Sequence, residues 1–371
     1  MNKRGMIPLF TVTMMVLLFN SSVIGCGFEE YRKIEYDKEM VSAMKAVFKA
    51  RQDLGLEKGD EKLLALTNAG YGSINGASTE PFLDIISNVT ACTMGTKSLL
   101  MVHTPEMDPL WCALNRKDNG NVVFMKWTGE QFEQRNYNIA SDKILNPPVR
   151  KEQSDDFIGQ YFFPIVSICN CWAAGISWPM LKSAEFHGHI CPGLNVGAIA
   201  YEDLKENQPL RGGEQYVFIC SPTNCPADAL QVLCDSTAGK ALTFSTAMKK
   251  EDVAKYSGDL WFKGCPIPPL VTISLRVNKE GNSCEGVVLA IGWKTLFHDV
   301  GLSAESFSSP GGKSNPMYFI SRTKLSLQLA SMPMAKKMTY MKELKTFFGQ
   351  ASTVQTLSKN GADPYAIIWN I

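Results

Sequence analysis

The order of hydrophobic and polar patterns along this chain repeats itself. Apolar residues recur at helical spacing over residues 39–54 and then form a short apolar run over residues 63–67, which predicts a helix followed by a buried strand. The same succession appears in the second half, where residues 194–204 have helical spacing and residues 215–220 form the apolar run. Each half therefore contains a predicted helix-strand pair.

A sequence match follows each of these pairs. The segment from Asp84, D-I-I-S-N-V-T-A-C-T-M-G, and the segment from Asp228, D-A-L-Q-V-L-C-D-S-T-A-G, share Asp, Thr and Gly at identical offsets. After each segment come a strand-like run, a Pro-Leu pair and a hairpin pattern with a glycine turn. The runs and hairpins lie at residues 97–103 and 111–127 in the first half and at residues 241–246 and 271–293 in the second. We interpret this order as two copies of one helix-strand-helix-three-strand module, an internal duplication.

The patterns divide the chain into five predicted regions. Residues 138–156 contain adjacent prolines and charged residues, which is typical of a linker. After the second module, a loop rich in glycine and proline precedes helical spacing, and the helical pattern of residues 332–341 continues through residues 342–349. The regions are a signal at 1–26, a first module at 35–130, a linker region at 131–180, a second module at 181–300 and a helical C-terminal extension at 301–371.

The composition indicates a folded protein without the features of a nucleic-acid-binding one. The chain has 371 residues, of which 45% are hydrophobic, enough for two domains with full cores. Its 37 basic and 36 acidic side chains nearly cancel, and no basic stripe with interleaved aromatic residues occurs. Because nucleic-acid binding needs such a positive surface, nucleic acid is not an expected partner.

The N-terminal residues predict export. Lys3 and Arg4 precede an apolar run over residues 6–19, and the sequence V-I-G-C follows, ending at Cys26. This order is typical of a lipoprotein signal, in which cleavage before Cys26 leaves an acylated cysteine at the new N-terminus. An ordinary secretory signal or an uncleaved anchor helix is the alternative. We therefore expect an exported protein that is anchored by lipid outside the cytoplasmic membrane.

The cysteine content permits disulfides. The chain has eleven cysteines, and ten remain if Cys26 is acylated. An even number is compatible with pairing in an oxidising compartment, but the sequence assigns no pairs.

Two Cys-Pro sequences contain the candidate chemistry. Residues 187–193 read H-G-H-I-C-P-G, and in an extended segment His187, His189 and Cys191 would point to the same side. Pro192 suits the first position of a helix, which places Cys191 at the N-cap, where the helix dipole favours a thiolate. We therefore predict metal ligands at this point of the chain.

The second Cys-Pro sequence has the same form. Cys225 precedes Pro226, and a helix is predicted from residue 226 to about residue 235. If the two helix starts converge, four side chains make a nitrogen and sulfur donor set suited to zinc or a similar divalent metal. These side chains are His187, His189, Cys191 and Cys225.

The first module has no counterpart of these sequences. It has P-F-L-D at residues 81–84 where the second module has C-P-A-D. It does contain Cys92 and His103, which could contribute to the site if the two modules pack together. A buried or simply exposed His103 without a role in the site is the alternative.

These residues support a family resemblance. Residues 187–193, C-P-A-D-A-L-Q from Cys225 and T-A-G-K from Thr237 resemble the FmdE-like family of formylmethanofuran dehydrogenase proteins over about residues 186–293. The first module resembles a degenerate copy of the same domain, as in the longer secreted members of that family. The resemblance implies an α+β fold in which helices pack on a mixed, mostly antiparallel sheet.

The resemblance also implies a metal site, usually taken as zinc. The positions to which it carries over are His187, His189, Cys191 and Cys225. Asp228 is implied as an acid, a base or a partner of a ligand. Ser236 departs from the pattern, because family members often have a cysteine there, before the threonine. The one-carbon chemistry of the namesakes takes place in the cytoplasm and is not expected of an exported protein.

Three classes of function follow. The first is an extracytoplasmic, membrane-anchored metal-binding protein in which four ligands surround the ion. The second is a metal-dependent enzyme with three ligands, a water in the fourth place and Asp228 as general base. The third is a redox protein that uses a thiol or a non-covalent haem, since the chain has no CxxCH for covalent haem. The expected partners are a metal ion and the membrane, and a homo-oligomer is left open.

Overall fold

The computed structural model describes residues 38–260, 267–307 and 316–371. The predicted signal, including Cys26, lies outside these residues. Within them, no helix combines the length and the apolar character that crossing a membrane requires.

The first half forms a five-stranded mixed sheet with the strand order β2-β1-β3-β4-β5. Strands β1 and β2 are parallel, and the other neighbouring strands are antiparallel. The elements in chain order are α1 (Lys38–Asp53), β1 (Leu63–Thr67), α2 (Pro81–Thr90), β2 (Leu99–Met101), β3 (Trp111–Arg116), β4 (Asn121–Trp127) and β5 (Phe132–Asn138).

Helices connect this sheet to the second half. They are α3 (Ser141–Ile144), α4 (Pro147–Asp155), α5 (Phe162–Ala173) and α6 (Trp178–His187). Helix α5 is apolar and buried along most of its length, because it lies between the first sheet and the helices that follow. The region predicted as a linker, residues 131–180, thus contains β5 and most of these helices.

The second half forms another five-stranded mixed sheet, with the order β7-β6-β8-β9-β10. The elements up to its fourth strand are α7 (Pro192–Asn207), β6 (Glu214–Cys220), α8 (Pro226–Leu233), β7 (Thr243–Ser245), α9 (Lys250–Ser257), β8 (Leu270–Asn278) and β9 (Ser283–Ile291). The remaining elements are α10 (Trp293–Asp299), α11 (Ala304–Phe307), α12 (Pro316–Ser331), α13 (Met334–Met338), β10 (Met341–Gly349), α14 (Thr353–Ser358) and α15 (Pro364–Trp369).

The two sheets correspond strand by strand. β6 and β7 are parallel, as β1 and β2 are, and the other neighbours are again antiparallel. Left-handed residues recur at matching places, with Ala91 and Asp235 after α2 and α8, and Lys97 and Ala241 before β2 and β7. Such backbone angles are uncommon outside glycine. The predicted α+β fold with mixed, mostly antiparallel sheets and a helical C-terminal part is confirmed, and it is consistent with two tandem modules.

The last strand of the second sheet corrects one prediction. Residues 342–349 are predicted to continue a helix, but Met341–Gly349 form β10, which pairs antiparallel with β9. This pairing satisfies the backbone N–H and C=O groups along the edge of β9, and tertiary pairing of this kind overrides local helical spacing. The sheet therefore takes its fifth strand from the region predicted as the C-terminal extension, and each sheet has one strand more than the predicted module.

One hydrophobic cluster joins the two halves. Leu66 and Trp111 of the first sheet belong to it together with α5, Cys191 and Leu194 at the start of α7, and Ala229 of α8. Burying this apolar surface stabilises the contact between the halves. The start of α7 therefore rests on a core to which both halves contribute.

Candidate metal centre

Three elements bring the candidate ligands together. His187 is the last residue of α6, Cys191 is the N-cap of α7, and Cys225 immediately precedes α8. The extended geometry predicted for residues 187–191 is wrong, because His187 is helical and Gly188, with a φ of 79°, takes the left-handed conformation that ends α6. His187 and Cys191 therefore approach each other across a tight turn.

The donor atoms of three predicted ligands converge. Those of His187, Cys191 and Cys225 all lie within 4.8 Å of one another, and we refer to these residues as the His/Cys cluster. Nε2 of His187 is 3.8 Å from Sγ of Cys191. The fourth predicted ligand, His189, lies beside the cluster, with its ring centroid 4.4 Å from that of His187 and 5.1 Å from that of Phe163.

Gly193, which ends the motif, allows α7 and α8 to pack close to each other. A Cβ on Gly193 would lie 2.9 Å from Cβ of Cys225, and a Cβ on Gly197 would lie 2.7 Å from Cβ of Ala229. Both distances are well inside van der Waals contact. A side chain at residue 193 would therefore push Cys225 away from the cluster, which explains why H-G-H-I-C-P is followed by glycine.

The predicted N-cap role of Cys191 is confirmed. Its Sγ accepts a hydrogen bond from the backbone N–H of Leu194 at 3.4 Å, and its carbonyl accepts one from the side chain of Asn195 at 3.0 Å. The preceding residue is held as well, since the N–H of Ile190 donates to Oγ of Ser167 on α5 at 3.1 Å. These contacts fix the turn between α6 and α7, and no sequence pattern singles out Ser167.

Asp228 contacts the histidine of the cluster. Its Oδ2 is 2.6 Å from Nδ1 of His187, and its Oδ1 accepts a hydrogen bond from Gln231 at 3.4 Å. If Nδ1 carries the proton, it donates a hydrogen bond to Asp228, and Nε2 then faces Cys191. Carboxylates commonly orient metal-binding histidines in this way. The observed contact of Asp228 is thus that of a partner of a ligand.

The protonation states in the cluster depend on one another. Burial lowers the pKa of His187, but hydrogen bonds to Asp228 and Cys225 outweigh burial and raise it to about 9. A hydrogen bond from Cys191 lowers the pKa of Cys225 to about 5 against the effect of burial, and the same bond together with burial raises the pKa of Cys191. These opposite shifts favour a single thiolate in the Cys191–Cys225 pair beside a protonated His187.

This donor set fits a borderline-soft divalent metal. Imidazole nitrogen and thiolate sulfur are the ligand types that such ions select, and they bind in their deprotonated forms. Cys225 already has a low pKa, and the Asp228 contact presents Nε2 of His187. Metal binding would then release protons from His187 and Cys191.

The first half contacts the end of α6 without joining the cluster. The backbone N–H of His103 donates to the carbonyl of Glu185 at 3.0 Å, and the hydroxyl of Tyr71 donates to its carboxylate at 3.4 Å. The His103 ring packs against the rings of Tyr71 and Phe186. His103 is therefore placed to support the helix that ends in His187, a role that its sequence position did not reveal.

Cys92 lies in the core of the first half. It is 3% exposed, and its thiol donates to the carbonyl of Leu63 at 3.6 Å. Burial raises the pKa of this thiol. Neither Cys92 nor Ser236 is part of the His/Cys cluster, and Ser236 donates instead to the carbonyls of Tyr216 and Cys234.

None of the nine cysteines in the described part of the chain forms a disulfide. Burial raises the pKa of Cys169, Cys171, Cys220 and Cys234 to about 12. Burial therefore favours the thiol form of these four cysteines at neutral pH, whereas the shift at Cys225 favours the thiolate.

Comparison with known proteins supports the resemblance for one region. The family model described as FmdE, molybdenum formylmethanofuran dehydrogenase operon, matches residues 186–290. No curated protein and no solved structure was found to match the chain. The matched region includes the whole His/Cys cluster and Asp228, and the first half lies outside it. The chain thus contains an FmdE-like region, which together with the His/Cys cluster indicates a metal-binding protein.

Proposed function

We propose that this chain is an exported, membrane-anchored metal-binding protein whose His187, Cys191 and Cys225 hold a divalent metal ion, with zinc the best fit to the donor set. The observation that supports the proposal most strongly is the convergence of three donor atoms within 4.8 Å in the region that matches the FmdE family. The contact between Asp228 and His187 adds to it, because it leaves Nε2 available to the ion.

Metal analysis tests this proposal. The full-length protein, purified anaerobically in detergent, should contain about one metal ion per chain by mass spectrometry, and His187→Ala and Cys191→Ala should remove it. His298→Ala and Cys234→Ala are matched controls, since His298 is exposed and neither belongs to the cluster. Stoichiometric metal in the cluster variants, or a metal-free wild-type protein that takes up none on addition of zinc or cobalt, would contradict the proposal.

A metal-dependent enzyme is the second candidate, and one observation favours it. Among the residues that the structure describes, three donors rather than four converge, which is the number that catalytic sites use when they leave a coordination position open. A metal ion there would act as a Lewis acid. Asp228 would hold His187 in place through Nδ1, and general-base chemistry by Asp228 would need its carboxylate to leave that contact. The redox alternatives, including a non-covalent haem, stay predictions.

The visible spectrum of the cobalt-loaded protein separates the two candidates. If His189 is a fourth ligand, His189→Ala should change both the cobalt spectrum and the affinity for cobalt. If the coordination position is open, His189→Ala should leave the cobalt affinity within about threefold, whereas loss of a true ligand costs far more than the 10- to 100-fold typical of outer partners. The first result favours a closed binding site and the second an enzyme.

Membrane anchoring rests on Cys26 and has its own test. We propose that the mature chain begins at an acylated Cys26, so cells fed labelled palmitate should label the wild-type protein. Cys26→Ala should abolish the label and leave the precursor uncleaved. Labelling that persists in Cys26→Ala would contradict the lipid anchor without affecting the metal site.

A further inference from the structure

The two sulfurs of the His/Cys cluster lie close enough to bond to each other. Sγ of Cys191 and Sγ of Cys225 are within 4.8 Å of one another. A disulfide needs a separation of about 2.0 Å, so the sulfurs would have to approach by less than about 3 Å. Rotation about the Cα–Cβ bonds of the two cysteines moves their sulfurs by such distances. The pair of metal donors is therefore also a candidate disulfide pair.

Helix packing holds the two cysteines together. Helices α7 and α8, which begin directly after Cys191 and Cys225, pack against each other. A Cβ on Gly193 would lie 2.9 Å from Cβ of Cys225 and 3.3 Å from its Sγ. On the other side, the N–H of Ile190 donates to Oγ of Ser167 on α5. Because protein groups make all these contacts, the cysteines stay close to each other without a metal ion.

The two cysteines differ in their access to solvent. Cys191 is 6% exposed and belongs to the hydrophobic cluster that joins the two halves, whereas Cys225 is half-buried at the margin of that cluster. Of the other cysteines that the structure describes, only Cys234 is half-buried, and it lies outside the His/Cys cluster. Since thiol–disulfide exchange requires access to the attacking sulfur, a reagent in solution reaches Cys225 before Cys191.

A metal ion and a disulfide compete for the same sulfurs. Cysteine binds a metal ion as a thiolate, and the sulfurs of a disulfide are no longer thiolates. Oxidation of the pair would leave His187 as the one remaining donor of the His/Cys cluster. The metal-bound state and the disulfide state therefore exclude each other.

Resting on the proposed function, we propose that Cys191 and Cys225 form a redox switch, in which a small disulfide oxidant such as glutathione disulfide bonds the two sulfurs in the metal-free protein and a bound metal ion prevents this. The sulfur of Cys225 attacks one sulfur of the oxidant, which gives a mixed disulfide and releases one small thiol. The sulfur of Cys191 then attacks Sγ of Cys225 and releases the second small thiol. The two cysteines lose two protons and two electrons, and the oxidant gains them as two thiols.

Oxidation of the metal-free protein tests the order of these steps. The full-length protein, reduced and stripped of metal by a chelator, is treated with glutathione disulfide, and tandem mass spectrometry of tryptic peptides locates the products. The wild type should contain the Cys191–Cys225 disulfide. Cys191→Ala should keep glutathione on Cys225, whereas Cys225→Ala should carry none on the buried Cys191. Cys234→Ala is the matched control and should form the same disulfide as the wild type.

Zinc protection tests the competition. Zinc at about 100 times its dissociation constant leaves about 1% of the chains metal-free, so the disulfide should form about 100-fold more slowly than without zinc. His187→Ala keeps both thiols but loses a metal donor, and it should form the disulfide at the same rate with and without zinc. Reduction of the oxidised wild type with dithiothreitol, followed by removal of the reductant, should restore zinc binding.

The outcomes separate the redox switch from the metal site itself. If zinc binds but the metal-free wild type does not form the Cys191–Cys225 disulfide, or if zinc does not slow its formation, the switch is wrong and the metal site stands. If the wild-type protein binds no zinc, both proposals fail. Should Cys191→Ala unfold, as judged by circular dichroism, the wild-type peptides still decide, because a disulfide from Cys225 to Cys220 or Cys234 in place of Cys191 would overturn the proposal.

Discussion

The two halves of this protein have the same sheet but not the same helix starts. In the first half, the buried face of α1 is entirely apolar, and a glutamate, Glu80, precedes α2. In the second half, α7 and α8 each follow a cysteine, and α7 also buries Asn195 and Asp203. The strand order is identical in the two halves. The difference shows that the sheet does not need the metal ligands, and that the site depends on a few residues at helix termini.

The first half nevertheless supports the site. It contributes to the hydrophobic cluster beneath Cys191, and its Tyr71 and His103 hydrogen-bond to Glu185 near the end of α6. A copy without ligands can therefore remain useful as a rigid neighbour, because coordination geometry depends on the packing around the ligands.

The largest difference between the halves should be in how much a cysteine substitution lowers the affinity for metal. Cys225→Ser should lower metal affinity by more than about 100-fold, because loss of outer partners alone costs 10- to 100-fold and Cys225 is a direct candidate ligand. Cys92→Ser changes a buried cysteine of the first half that lies outside the cluster, and it should leave affinity unchanged. Competition with a metal chelator measures both. Equal losses of metal affinity in the two variants would show that both halves contribute equally to metal binding.

The next largest difference should be between the two aspartates at matching positions, Asp228 and Asp84, in their effect on metal affinity. Asp228→Asn should weaken metal binding about 10- to 100-fold, because the amide no longer provides the carboxylate that holds Nδ1 of His187. Asp84→Asn, at the same offset in the first half, is exposed and should have no effect. The same chelator competition measures both variants. An unchanged affinity in Asp228→Asn would show that Asp228 does not orient His187 for metal binding.

A single methyl group at residue 193 should separate the two Cys-Pro helix starts. Gly193→Ala forces its Cβ against Cys225, so metal affinity should fall about tenfold and the free energy of unfolding by about 1–3 kcal/mol. Gly239→Ala is the control, because no heavy atom lies within 4 Å of its added Cβ. Urea unfolding and cobalt titration measure the two effects. Full affinity in Gly193→Ala would show that α7 and α8 can separate without loss of the site.

The smallest expected effect is on stability and concerns Asp203, a buried carboxylate on α7 that has no counterpart on the buried face of α1. Burial and then Glu343 raise the pKa of Asp203 from 3.8 to about 6. Ionisation therefore costs the folded state, and stability falls as pH rises from about 4 through 6. Asp203→Asn should stabilise the protein at pH 8 by about 1 kcal/mol and have little effect at pH 4. Urea unfolding at both pH values checks this, and an equal effect at both would contradict it.

Local patterns predicted much of the fold, because periodicity and turn residues act over short distances. The predicted strand at residues 63–67 is observed at Leu63–Thr67, and the helices after Cys191 and Cys225 begin at the predicted prolines. The helix predicted at residues 342–349 is wrong because the partner of these residues, β9, is distant in sequence. The extended geometry predicted for His187 is wrong because α6 continues through His187 and ends at Gly188. The spacing of the motif residues alone does not show that a helix precedes them.

The sequence by itself determined the repeated order of elements, the two Cys-Pro helix starts and the identity of the candidate donors. Only the tertiary structure decided which donors meet, because the close approach of α7 and α8 at Gly193 brings Cys225 to Cys191, and the turn at Gly188 brings His187 to both. It also decided that Asp228 faces His187. Distances between segments far apart in the chain arise from packing, and no local pattern encodes them.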